Sequence, residues 1–429
     1  MLSSDILYTA LYIGLMGGLL MHHQRLNEGR WGIGSYTLLS YFIYPIVGIF
    51  WFFNPMHLYG QTVALQLFPF LYLAAMEWIA LRPVLQYDYN HIQRITPPTM
   101  VFLNTFAFIC VVCTLLQIPR IVSNLADGLR MIVLESAGSD LYRDSQILET
   151  SYDGTISNLP AVIFNMFSPL SFILFFYYLT LEKRQRWAEI GFALCILIKT
   201  FLSLSKGQRT EVTMSVFNLM VSYLALRPML SARIRRNVQI LLMLLAAAIL
   251  IPFAAISISR FGERDGGLVG GLVYYIGEAP YYFNNYALDA GGIRYGDRTA
   301  PIFKSMLGMH TPGGIFDVRD AYSYMKMNDS VFSTFIGDFV LDYGPWMTVV
   351  IFIFFSFLCS RLTRPDEPHQ LPFHRLILIY FAMSVCMQGG MYLFNYSFEG
   401  NLQIIAIMLF YGFFCLDYLL RKKRKEVIA

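Results

Sequence analysis

Charge is scarce in this chain: Asp, Glu, Lys and Arg together make up 14% of 429 residues, against 56% hydrophobic and 16% aromatic. A soluble domain carries roughly a quarter charged residues, so too little polar surface is present to keep a fold of this size in water. Histidine is also sparse, at seven residues, and no His, Cys and Asp cluster has metal-ligand spacing. The six cysteines, Cys110, Cys113, Cys195, Cys359, Cys386 and Cys415, all fall inside apolar runs. That placement speaks against a disulfide framework and for small buried side chains, including the CxxC-spaced pair Cys110 and Cys113. The start, Met1 to Ser4, has neither a basic n-region nor a small-residue cleavage site, so the first apolar run is expected to be a retained span. No internal repeat is visible, and nothing points to nucleic acid.

What is present is a series of apolar runs. Crossing a bilayer takes roughly twenty such residues, and about eleven segments qualify, beginning near Asp5, Gly34, Tyr59, Pro98, Pro160, Ala188, Val212, Val238, Gly337, Leu376 and Asn401. The expected fold is an all-α polytopic membrane protein, with residues 1–429 as a single integral membrane domain. Alternate connections hold more than half of the 32 Lys and Arg residues. Among them are Arg25, Arg30, Arg82, Arg94, Lys183, Arg184, Arg227, Arg235, Arg361, Arg364, Arg375 and the tail from Arg421 to Lys425. Cytoplasmic loops are enriched in these residues, so the N-terminus is expected outside and the C-terminus inside. Two large loops then lie outside, about 119–159 and 259–336, the second, partly helical and between the eighth and ninth spans. The basic tail is suited to anionic headgroups.

Chemistry is expected in the outside connections. In the first loop, Leu125, Leu129, Ile132 and Val133 have the spacing of an amphipathic helix, compatible with an interfacial cap. The short connection "SLSKGQRTE", Ser203 to Glu211, places Lys206 and Arg209 outside, against the charge bias and at headgroup depth. The long second loop begins with Arg260 and Arg264, then carries five tyrosines from Tyr274 to Tyr286 around Glu278. These rings, with Asn284 and Asn285, suit either a sugar-stacking wall or an interfacial aromatic belt. Arg294, Arg298 and Arg319 follow, each with acids such as Asp297 and Asp320 close in sequence. A guanidinium can take phosphate through two parallel hydrogen bonds, or it can pair with such acids. Asp338 and Asp342, four apart, share one face of a helix entering the ninth span. They suit a polar cavity or ion pairs with arginine. The outside loops contain no DxD motif.

In order and position, three elements resemble those of the O-antigen polymerase (Wzy-type) and oligosaccharide repeat-unit polymerase families. They are "SKGQRTE" ahead of a span, Arg260 followed by ten residues and Gly271, and "FSTFIGDFVLDYG" entering a late span. The O-antigen ligases are more distant: where they carry a His-Asn pair, this chain has Ser333 and Thr334. The resemblance implies a GT-C-like glycosyltransferase of the bacterial inner membrane that needs no metal or other cofactor. Its donor and acceptor would be undecaprenyl-pyrophosphate-linked glycans, joined into O-antigen or a related surface polysaccharide, with a chain-length regulator as partner. In that reading Arg209 and Arg260 stabilise the leaving pyrophosphate with Lys206 and Arg264 assisting. Asp338, or else Glu278, handles the acceptor hydroxyl. Arg319, Tyr281, Tyr282 and Asn285 are expected to contact substrate. The alternatives are a ligase-like transferase or a transporter (flippase) of lipid-linked glycans, for which Lys199 within the sixth span is the best-placed residue.

Overall fold

The computed structural model describes residues 2–52, 64–119, 158–205, 209–241, 243, 267–327, 331–393 and 396–428. For some of these, Arg209 among them, the backbone alone is described. The chain is almost wholly helical. Its helices are α1 (Leu2–Leu26), α2 (Ile33–Phe52), α3 (Leu67–Tyr89), α4 (Met100–Leu115), α5 (Leu159–Thr180), α6 (Arg186–Ser205) and α7 (Arg209–Leu226). Then follow α8 (Gly267–Tyr286), α9 (Pro301–Met306), α10 (Ile315–Ala321), α11 (Thr334–Leu362), α12 (Phe373–Gln388) and α13 (Ser397–Ile428). Residues 232–241 are also helical. Two three-residue strands, β1 (Arg94–Thr96) and β2 (Gln370–Pro372), pair in parallel with Arg94 opposite Gln370.

Among the described residues six helices are long and apolar enough to cross a membrane: α1, α2, α3, α5, α11 and α13. The helices α4 and α12 are apolar but shorter. Exposed Leu, Ile, Phe and Val side chains stud these helices, as on Phe50, Phe68, Val101, Phe108, Phe354 and Leu409. Such surfaces are costly in water and neutral in lipid, so the chain is a membrane-embedded all-α protein. The expected start near Tyr59 lies outside the described residues, and the helix there begins at Leu67. The eighth expected span is described only at its start, residues 238–241 and 243, and the amphipathic segment around Leu125 lies outside the described residues.

Contacts gather the chain into two compact units. One comprises Met1–His91, Asp265–Arg364 and Ala382–Leu402; the other comprises Ile92–Arg264, Pro365–Phe381 and Gln403–Ala429.

In the first unit α2 is the hub, packed against α1, α3 and α8. Its N-terminus is capped from α3: Asp88 Oδ2 accepts the N–H groups of Gly34 (2.9 Å) and Ser35 (3.3 Å) and faces His23 Nε2 at 3.1 Å. Unsatisfied N–H groups at a helix start need such an acceptor, and a carboxylate also suits the positive end of the helix dipole. Further along, α2 and α8 cross at two glycines. A Cβ on Gly277 would stand 2.3 Å from the Gly48 Cα, so the backbones touch. Small residues permit this approach where lipid supplies no hydrophobic drive. Tyr281 lies beside the crossing, wholly buried, stacked on Phe52 with ring centroids 4.9 Å apart.

Proline lies inside several of these helices, and in three of them a tyrosine from another helix bonds the carbonyl of the proline itself. Tyr281 donates its hydroxyl to the Pro45 carbonyl in α2 (2.7 Å), and Tyr72 to the Pro345 carbonyl in α11 (2.6 Å). In the second unit Tyr380 does the same for Pro169 in α5 (2.7 Å). A hydroxyl in an apolar medium needs an acceptor, and a helix carbonyl has a second lone pair to offer it. The second unit is otherwise held by polar links between apolar helices. Thr99 gives its N–H and hydroxyl to Asp417 (3.0 and 2.5 Å), Tyr178 donates to Asn104 (2.9 Å), and Thr200 to Ser215 (3.1 Å). All six cysteine thiols are free, five of them buried.

The glycine crossing generates a prediction. Gly277→Ala forces α2 and α8 apart and lowers the thermal unfolding midpoint in detergent by the equivalent of about 1–3 kcal/mol. Gly18→Ala, where an added Cβ meets nothing within 4 Å, leaves the midpoint unchanged.

Candidate functional site

The first unit encloses a cluster of buried charge on the N-terminal part of α11. It begins with the irregular stretch Ala290–Ala300, "AGGIRYGDRTA". Gly291, Tyr295 and Gly296 have φ of 80°, 52° and 80°, and these left-handed residues turn the chain sharply. Gly296 is needed twice over, since a Cβ there would also stand 2.7 Å from the Tyr343 hydroxyl. The Arg294 N–H donates to the Leu341 carbonyl (2.8 Å), which lays the stretch along α11 and brings two arginines to two aspartates.

Arg294 Nε is 2.7 Å from Asp342 Oδ1. One terminal nitrogen of the same guanidinium donates to the Asp338 carbonyl (3.2 Å) and stands 3.9 Å from Asp338 Oδ1. Arg298 Nε lies 3.5 Å from Asp338 Oδ1, and its guanidinium sits over the Tyr396 ring, 4.8 Å from the centroid. The second carboxylate oxygens accept backbone N–H groups, Asp338 from Leu393 and Asp342 from Thr299, each at 2.8 Å. Arg294, Arg298, Asp338 and Asp342 are all buried. Around them Asp297 pairs with Lys304 and accepts the Tyr322 hydroxyl (2.6 Å). Asn401 of α13 donates to the Thr299 carbonyl (2.8 Å) and accepts from Ile302 (3.2 Å).

Three cations and three carboxylates thus balance in one buried network. Burying a lone charge costs several kcal/mol, whereas a paired and hydrogen-bonded set roughly breaks even. The spacing of each pair makes the match: Asp338 and Asp342 are four apart on one face of α11, and Arg294 and Arg298 are four apart in the stretch laid over it. From sequence, the arginines have nearer candidates such as Asp297 and Asp320; the structure pairs them instead with acids some forty residues away. Directly after the cluster, Gly344 has φ 78° and ψ 165°, which divides α11 into two helical stretches. Tyr72 and Thr348 bond the carbonyls at the break (2.6 and 2.8 Å). Two guanidiniums and two carboxylates paired in this way hold residues 290–300 against α11 and orient the charged groups with respect to one another.

The other expected site residues are distributed as follows. Glu278 is buried in α8, which lies within the stretch expected to be the second outside loop, and accepts the Phe332 N–H (3.1 Å). Burial pushes its carboxyl well above the usual range, an effect only partly offset by the Tyr274 hydroxyl and the Phe332 N–H. It therefore keeps its proton to higher pH than an ordinary glutamate. Tyr281 is engaged through both ring and hydroxyl in the α2 crossing described above. Tyr282 stacks on Tyr286 (5.9 Å), and both pack on a small core of Ala290, Met325, Met327, Val331 and Leu341 beside the charged cluster. The Asn285 Oδ1 is buried with no hydrogen-bond partner among the described residues. Arg319, on α10, lies over the Phe316 ring at 5.6 Å. Arg209 opens α7, while its side chain, Lys206, Arg260 and Arg264 lie outside the described residues. Lys199 is buried in α6. Among the described residues no group of three His, Cys, Asp or Glu side chains is placed to hold a metal.

No family model, curated protein or solved structure matches the chain.

Removing one partner of the buried network leaves a charge stranded. Arg294→Ala is expected to destabilise the protein by about 3–5 kcal/mol, while Arg294→Met combined with Asp342→Leu loses much less; thermal unfolding in detergent measures both. Glu278 has its pKa raised in the folded state, so its contribution is complete at acid pH and is lost as pH rises from the ordinary carboxylate range through the folded value. Glu278→Gln should flatten that part of the stability profile, read as unfolding midpoint against pH.

Proposed function

We propose that this chain is a glycosyltransferase of the O-antigen polymerase type, joining undecaprenyl-pyrophosphate-linked repeat units at the outer face of the bacterial inner membrane. The proposal includes about eleven spans, a GT-C-like arrangement, an outside N-terminus and a cytoplasmic C-terminus. The observation that carries it is the buried Arg294, Arg298, Asp338 and Asp342 cluster, built at one end of a membrane-length helix. Charge at that position is costly and is usually kept for chemistry. It lies in the same "FIGDFVLDYG" element that resembles the late motif of the polymerases, and α11 carries Arg361 at its opposite end.

In the proposed reaction an acceptor hydroxyl oxygen attacks the anomeric carbon of the donor glycan. The bond from that carbon to the pyrophosphate oxygen breaks, and undecaprenyl pyrophosphate leaves with the electron pair. The hydroxyl proton passes to a carboxylate. Asp338, held beside two guanidiniums, is assigned this role ahead of Glu278. Arg209 and Arg260, with Lys206 and Arg264, would take the pyrophosphate. Tyr282 and Asn285 are suited to contact sugar, while Arg319 would serve at the periphery. A protein regulating chain length would be the partner.

One observation favours a second reading, transport of a lipid-linked glycan: the Gly344 break makes α11 a discontinuous helix, a form recurrent at transport sites. Purified protein in vesicles, given undecaprenyl-pyrophosphate repeat units without ATP or a gradient, separates the two. Polymerase activity gives a ladder of glycans, with the rate falling at least about a hundredfold in Arg209→Ala and Asp338→Asn. Ladders at the wild-type rate in both variants would remove these residues from the mechanism. Movement of the lipid-linked glycan without elongation would establish the transporter.

A further inference from the structure

At the far end of α11 from the buried cluster, α3 and α11 enclose a second feature that the proposed reaction does not use. The two helices run parallel: Tyr72 of α3 bonds the Pro345 carbonyl at one end, and residues 78–86 and 353–364 line one cavity at the other. From Gly344 to Arg361 the helix rises about 25 Å, close to the thickness of a hydrocarbon core. The cavity measures about 410 Å³ and is open on one side. Its wall carries Trp78 and Ile79 from α3 and Ile353 and Phe357 from α11, and its mouth carries Arg82, Arg361 and Arg364. No carboxylate lines it. Among the described residues Arg82 and Arg361 have no ion-pair partner, and both are exposed. Ser360, also in the wall, has a buried hydroxyl without a hydrogen-bond partner among the described residues.

An apolar wall of bilayer-facing side chains that ends in three guanidiniums matches an amphiphile with a single anionic head. We infer that this groove is a binding site for one acidic phospholipid, its phosphate on Arg82, Arg361 and Arg364 and an acyl chain along Trp78, Ile353 and Phe357. Each guanidinium can hold a phosphate oxygen through paired N–H donors, and the indole of Trp78 suits the interface depth. The arginine distribution assigns this end to the cytoplasmic leaflet. The site rests on the membrane-embedded fold and, for its leaflet, on the arginine distribution; the basic tail after Arg421 can attract headgroups without a cavity and is the competing source of a lipid preference.

Native mass spectrometry of the full-length protein, released from detergent micelles containing phosphatidylglycerol or phosphatidylcholine, tests the inference. Wild-type protein should retain one phosphatidylglycerol at least about tenfold more tightly than phosphatidylcholine. The triple variant Arg82→Ala, Arg361→Ala, Arg364→Ala should lose that preference while keeping its lipid-free unfolding midpoint. A tail variant, Lys422→Ala, Lys423→Ala, Arg424→Ala, should retain it. Equal retention of the two lipids by wild type, loss of preference in the tail variant alone, or full displacement of phosphatidylglycerol by millimolar inorganic phosphate would each overturn the assignment. Because none of these readings involves polymerisation, the site can stand or fall independently of the proposed reaction.

Discussion

Inside an apolar medium, a carbonyl, an amide or an ionised side chain must find its partner within the protein, because no water is there to supply one. Three features of this structure answer that single demand at increasing strength. Tyrosine hydroxyls take up carbonyls at Pro45, Pro169 and Pro345. Asp88 collects the orphan N–H groups at the start of α2 together with His23. Two arginines, two aspartates and their neighbours close a network in which carboxylates receive both guanidinium and backbone donors. A hydrogen bond of the first kind contributes about 1 kcal/mol. The ionic network contributes little net free energy while complete, but it fixes geometry, since an arrangement that stranded one charge would be disfavoured by several kcal/mol.

That fixing of geometry ties the fold to the proposed chemistry. Residues 290–300 contain two left-handed glycines and little apolar surface, so propensity alone would leave them without a defined path. The path comes from Arg294 and Arg298 reaching Asp338 and Asp342, with Asn401 and the Ser397 N–H holding the other side. The cluster is therefore scaffold and candidate reaction centre at once. Leaving-group stabilisation by arginine works best where the cations are already oriented and water is excluded, and Arg294 and Arg298 are buried and oriented by the aspartates beside them. Tyrosines divide between tasks in the same region: Tyr281 is absorbed into the helix crossing, while Tyr282 and Tyr286 form a stacked pair next to the charged stretch.

Much of the helical layout was legible because hydrophobic runs of the right length leave few alternatives: segments expected near Gly34, Pro160 and Leu376 begin at Ile33, Leu159 and Phe373. The helix α8 was harder to foresee. Its glycines and the acid Glu278 lower its hydropathy below that of a span, and only its neighbour, with Gly48 facing Gly277, explains why it is helical and buried. Asp338 and Asp342 could be placed on one helical face from their spacing. Their partners could not, because sequence proximity favours Asp297 for Arg294 and Arg298, and a contact between residues 294 and 342 is set by how an irregular loop turns. The matched spacing of four in both pairs was the available signal. Arg209, read from sequence as part of a short connection ahead of a span near Val212, instead forms the first residue of α7.

The break at Gly344 has a mechanical consequence. A continuous α-helix behaves as a stiff rod because every turn is bonded to the next; at Gly344 that ladder stops and the joint is bridged by the Tyr72 and Thr348 hydroxyls. The short stretch carrying Asp338 and Asp342 is thereby uncoupled from the long apolar stretch behind it. The charged end therefore takes its orientation from the ion pairs and backbone bonds around it and not from the rod behind it.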